Sequence, residues 1–68
     1  MIIEIGIVAG EIWHYLDQHG EVSLSDLTKG IERNPDNVLM SLGWLARESH
    51  VILVKIDNDY QITLRKDA

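Results

Sequence analysis

The apolar residues of this chain change their spacing once, and that change limits the folds open to it. Up to Ala46 they recur at roughly 100° per residue, the period of a helix with one face turned to a core. From Val51 onward β-branched residues cluster and then alternate with polar ones, the period of a strand covered on one side. Helices followed by strands make an α+β chain.

The punctuation between these runs sets the elements. Ile5, Val8, Ala9, Ile12, Tyr15 and Leu16 share one face of a helix from Ile3 to His19, and Gly20 offers its stop. Glu21 and Val22 form a short extended link. Ser23 caps a second helix from Leu24 to Ile31, with Asp26 three residues on in a weakened capping box. Asn34 followed by Pro35 is a strong helix start: Asn accepts bonds from orphan amides, and Pro at the first helical position has no amide to leave unpaired. The third helix then carries an apolar face of Val38, Leu39, Leu42, Leu45 and Ala46 and fades near Glu48 to His50. Val51 to Ile56 and Tyr60 to Leu64 read as two strands of a hairpin, turned by Asp57, Asn58 and Asp59, that covers the open side of the helical core.

With 68 residues the chain makes one domain, spanning 1–68. It has no cysteine, which excludes a disulfide scaffold, a thiolate zinc site and a redox pair, and fits a cytoplasmic protein. Glu4 and Glu11 interrupt the Ile-rich start, so neither a membrane span nor a signal peptide is expected. Below roughly 70–80 residues a single core supplies only about 3–5 kcal/mol, and with no disulfide to help, self-association into a homodimer is the expected remedy. Six Lys and Arg face eleven Asp and Glu, a net charge of -5, which disfavours nucleic acid as a partner unless basic residues cluster locally.

From Leu24 to Leu64 the order of elements and of apolar positions resembles the winged helix-turn-helix superfamily. Leu24, Leu27 and Ile31, then Val38, Leu42 and Leu45, then the strands Val51 to Ile56 and Tyr60 to Leu64, carry the likeness, and the first helix extends it to nearly the whole chain. The compact size, the glycine after the first helix and the stretch from Ser25 to Leu45 look like a small prokaryotic winged-helix family of unknown function. The resemblance implies a three-helix winged helix-turn-helix with a C-terminal β-hairpin wing. It also implies a third helix that enters the major groove of DNA and a wing that touches the backbone.

Two sets of residues could serve such a fold. Asn37, Ser41 and Arg47 on the outer arc of the third helix could read bases or hold phosphates, with Lys29 and Arg33 beside the start of that helix and Lys55, Arg65 and Lys66 on or near the wing. Asp36, Glu48 and the acidic tip Asp57–Asn58–Asp59 oppose that use. Met40 and Trp44, one turn apart on the same arc, and Ile3 and Ile7 off the core face of the first helix form apolar surface suited to a protein interface; the alternatives are that the hairpin or C-terminus folds over Met40 and Trp44 as core and that the first residues form a short strand or tail. Chemistry has no foothold. His14, His19 and His50 lack ligand spacing and read as solvated, Glu4 and Glu11 as a solvated helix edge, and the aspartates of the tip as turn residues. Ser23, Ser25, Ser41 and Ser49 sit in no nucleophile motif, and no glycine-rich phosphate loop is present. No catalytic residues, metal or cofactor are expected. The sequence supports a non-enzymatic homodimeric module for protein-protein contacts, with a DNA-binding transcriptional regulator as the alternative.

Overall fold

A computed structural model describes the backbone of residues 2–65 and the side chains of residues 4–65. The elements follow the order α1 (Ile2–His19), β1 (Val22–Ser23), α2 (Leu24–Gly30), α3 (Pro35–Arg47), β2 (Val51–Ile56) and β3 (Asp59–Leu64). Three helices and a small antiparallel sheet give the α+β winged-helix arrangement that the sequence implies.

Each helix ends where its local chemistry permits. Gly20 takes a left-handed φ of 76° and its N–H reaches the Leu16 carbonyl at 2.8 Å, closing α1. Ser23 Oγ accepts from the Asp26 N–H at 3.0 Å to start α2, and Asn34 Oδ1 accepts from the Asp36 N–H at 2.8 Å to start α3. α3 closes in a Schellman arrangement: the Ser49 N–H bonds the Ala46 carbonyl at 3.1 Å and the His50 N–H bonds the Leu45 carbonyl at 2.9 Å. Ser49 occupies the left-handed position of that cap, with φ of 63°, where glycine is the usual residue.

The strands order as β1-β3-β2. β3 is central, pairing Val22 with Ile62 on one side and running Val51↔Leu64 through Ile56↔Asp59 on the other. Because cross-strand partners share a face, Val51, Leu53 and Lys55 lie on the same side as Ile62, toward the helices, and Ile52, Val54 and Ile56 lie on the other. The core joins α1 (Val8, Ala9, Ile12, Leu16), α2 (Leu27), Ile31, α3 (Val38, Leu42, Leu45) and the sheet (Val51, Ile62). α1 and α2 approach closely at Gly30, where a Cβ would stand 2.5 Å from Tyr15 Oη; the Tyr15 ring is itself stacked on His19 at 4.1 Å between centroids.

Four expectations change. Ile31 is not helical: it caps α2 in extended conformation, its N–H still on the Leu27 carbonyl at 2.9 Å. Val22 and Ser23 do more than link, because the free side of β3 takes them up as a third strand. Asp59 belongs to β3, which leaves a two-residue turn with a left-handed Asp57. On α3 the buried stripe is Val38, Ser41, Leu42 and Leu45, so Ser41 is 0% exposed and Leu39, about 100° round the helix from Val38, is 51% exposed.

Replacing Ser49 with Gly removes the side-chain penalty of the left-handed cap. Ser49→Gly should stabilise the domain by about 0.5–1 kcal/mol in urea denaturation, with an unchanged m-value; a loss of stability would show that the Ser49 side chain supports the cap.

Candidate functional site

The outward face of α3 is the surface a winged helix presents to a partner, and here it is mostly apolar. Met40 is 41% exposed and Trp44 46%, one turn apart on the side opposite Val38 and Leu42. Trp44 is not covered by the hairpin; its ring lies 6.2 Å from that of His50, tilted by 36°. Leu39 extends this surface toward the sheet and lines a shallow groove with Leu24, Leu42, Gly43, Leu53 and Tyr60. Asp36 stands in the first turn of α3, where the helix dipole favours a carboxylate, and Arg47 in the last turn, where it favours a cation.

The residues expected to meet DNA are dispersed or already engaged. Asn37 is half-buried, and with Asp36, Leu39 and Met40 it lines a depression at the start of α3. Arg47 and Lys29 are exposed at the ends of different helices. Ser41 cannot reach a base or a phosphate: it is buried, and its Oγ has no hydrogen-bond partner. Arg33 is held by Glu11 in a bidentate pair, Nε to Oε1 at 2.9 Å and Nη2 to Oε2 at 2.6 Å, so Glu11 is not a plain solvated edge and Arg33 offers phosphate a charge that is already neutralised. That pairing lowers the Glu11 pKa from its ordinary value and raises that of Arg33. Lys55 lies on the helix-facing side of the sheet with Nζ 5.4 Å from the Tyr60 ring centroid, a cation–π distance. Lys66 lies outside the described residues.

The hairpin end is acidic and pinned. Asp59 Oδ2 accepts the Ser25 hydroxyl at 2.8 Å and Oδ1 accepts the Tyr60 N–H at 2.8 Å, tying the hairpin to the first turn of α2. These bonds, the Ser25 hydroxyl first, hold the Asp59 carboxyl below its ordinary pKa.

On α1, Ile7 is 52% exposed; the Ile3 side chain lies outside the described residues. Trp13 is also exposed, and the reading of the sequence passed it over because it follows the buried Ile12. A residue next to a core position is turned about 100° from it, and a large aromatic so far off the stripe was the available signal. The exposed row Ile52, Val54 and Ile56 was missed for a related reason, since an unbroken β-branched run does not declare its outer face. Among the described residues no group of three or more His, Cys, Asp or Glu could hold a metal ion, and no helix is long and apolar enough to cross a membrane.

Two outcomes follow. Glu11 and Asp59 have folded-state pKa values below their unfolded ones, so the stability they contribute is present above the ordinary carboxylate range and lost as pH falls through the lowered values. Thermal melts across that acid range should show a falling Tm, and Glu11→Gln with Asp59→Asn should flatten the fall; an unchanged slope would mean that neither pairing persists in solution. Ser41→Ala removes an unpaired buried hydroxyl and raises helix propensity, and should stabilise by about 1 kcal/mol; destabilisation would reveal a partner for the hydroxyl.

The comparisons with known proteins agree with this geometry. Residues 1–64 match the family model described as a winged helix-turn-helix domain (DUF2582). An uncharacterised protein of Methanocaldococcus jannaschii is 40% identical over 65 residues, covering 91% of each chain. The solution NMR structure of a Bacteroides thetaiotaomicron protein superimposes with a TM-score of 0.77 at 26% identity, over 90% of this chain and 74% of that one. The chain therefore belongs to the DUF2582 family of winged helix-turn-helix domains.

Proposed function

We propose that this protein is a non-enzymatic winged-helix module that acts as a homodimer and binds another protein through the outward face of α3. The observation that carries this reading is the exposure of Leu39, Met40 and Trp44 on the helix where a DNA reader needs amides and guanidinium groups. Trp and Met are enriched where proteins meet proteins, and an exposed aromatic beside a flexible thioether suits a pocket on a partner. Ile7 and Trp13 on α1 add apolar surface that a monomer leaves wet.

Electrostatics supports the same choice. Groove binding gains its affinity by neutralising phosphates, and this chain carries a net charge of -5, with Arg33 paired and Asp57 at the turn of the wing. The second reading, a transcriptional regulator with α3 in the major groove, draws on Asn37 and Arg47 along that helix, with Lys29 of α2 and Lys55 of β2 as phosphate contacts.

The test is affinity capture from cells of the source organism with wild-type, Trp44→Ala and Arg47→Ala chains, each shown by circular dichroism to melt like the wild type. Loss of an anchoring aromatic typically costs 2 kcal/mol or more, so Trp44→Ala should reduce the captured partner about 30-fold while Arg47→Ala leaves it unchanged. Nuclease-sensitive capture that depends on Arg47 and ignores Trp44 would contradict the reading.

A further inference from the structure

Gly43 stands inside α3, and nothing within the domain asks for a glycine there. Its backbone is helical, and a Cβ built on it would meet no atom within 4 Å. At Gly30, by contrast, a Cβ would strike the Tyr15 ring. Glycine is, after proline, the costliest residue in a helix interior, so the missing side chain at Gly43 weakens α3 and relieves no crowding inside the chain. What it does is hold open the groove between α3 and the sheet, whose volume is about 210 Å³.

The lining sets the chemistry of an occupant. Leu24 of α2, Leu39, Leu42 and Gly43 of α3, and Leu53 and Tyr60 of the sheet line the groove, and the Tyr60 hydroxyl is the one polar side-chain group among them. A peptide main chain brought inside would leave N–H and C=O groups without partners, whereas a hydrocarbon chain would not. The volume of about 210 Å³ equals about seven waters at about 30 Å³ each, and a methylene needs similar room, so a chain of about six to eight carbons fits.

One end of the groove carries a cation. Lys55 pairs with Tyr60 across the strands and lies two residues along the same face from Leu53, with Nζ 5.4 Å from the Tyr60 ring centroid. The neighbouring carboxylate, Asp59, lies on the opposite face of the sheet and is held by the Ser25 hydroxyl and the Tyr60 N–H. From this we infer that the groove binds a free medium-chain carboxylate, with its chain along Leu39, Gly43 and Leu53 and its head group at the Lys55 ammonium. Met40 and Trp44 lie outside the groove, so the site is distinct from the partner face of the reading above. On a chain of net charge -5 a general attraction favours cations, and selection of an anion therefore marks the local charge of Lys55.

The test is a titration of the isotope-labelled full chain with octanoate, read by amide NMR shifts, with butanoate, octanol and octylammonium as comparisons. Octanoate should give saturable shifts centred on Gly43, Leu53 and Tyr60. It should bind about tenfold more tightly than butanoate, which lacks four of its methylenes, and about threefold more tightly than octanol or octylammonium, the scale of an exposed ion pair. Gly43→Leu fills the groove with a better helix former, so it should melt at or above the wild-type temperature and lose the saturable shifts. Lys55→Gln should keep the preference for the longer chain and erase the preference for the anion, and Trp44→Ala should bind as the wild type does. Shifts centred on Trp44 or on Ile52, Val54 and Ile56 would overturn the inference, as would octylammonium binding more tightly than octanoate. So would octanoate binding that survives Gly43→Leu, or no saturable shift anywhere in the millimolar range.

Discussion

Ile62 joins the two halves of this domain, and its burial decides which surfaces remain for a partner. It sits at 0% exposure in the middle of β3, with paired strands on either side, in a core cluster to which all three helices contribute. A side-chain period of two leaves no freedom once that residue is inside: Leu53 and Val51 must face the helices, and Ile52, Val54 and Ile56 must face away. A slip of one residue would expose Ile62 and bury Gln61, so the register is strongly specified although the hairpin turn is only two residues long. The same constraint that anchors the wing leaves an apolar row on its outer face.

A parallel constraint acts on α3. Val38, Leu42 and Leu45 must all enter the core, and the helical period then takes Ser41 in with them and turns Leu39, Met40 and Trp44 out. A face with this composition gains little from a phosphate backbone and much from an apolar pocket. The charged groups reinforce the difference, because the bidentate Glu11–Arg33 pair and the Ser25–Asp59 bond spend ionic groups on holding the structure together at its surface. Such exposed pairs add little stability, yet each fixes one element against another: α1 against the approach to α3, and the wing against α2.

Much of this was legible in the sequence because it is written locally. Asn34–Pro35 starts α3 by capping chemistry alone, Gly20 ends α1, and the change from helical to strand spacing after Ala46 separates the bundle from the wing. Helical phase put Trp44 and Met40 on the outer arc of α3, but whether the hairpin or the C-terminus folds over that arc was not legible in the sequence. What stayed hidden depends on partners distant in the chain. Glu11 and Arg33 are 22 residues apart, Ser25 and Asp59 are 34 apart, and neither pair has a local signature. The two-residue strand Val22–Ser23 exists only because β3 has a free side to offer it. Ser41 and Leu39 were exchanged between core and surface because residue type argues for Leu39 inside, and only the seating of α3 on its neighbours puts a serine there instead.

The account stands most directly on the claim that α3 offers an apolar contact and not a nucleic-acid reader. Fluorescence anisotropy of the full chain with a mixed pool of genomic DNA duplexes, at low and at near-physiological salt, tests that claim where electrostatic affinity is greatest. The account predicts no saturable binding at either salt. Binding that saturates at low salt and weakens steeply as salt is added would contradict it, and would show that the scattered cations of α2, α3 and the wing combine into a working DNA surface.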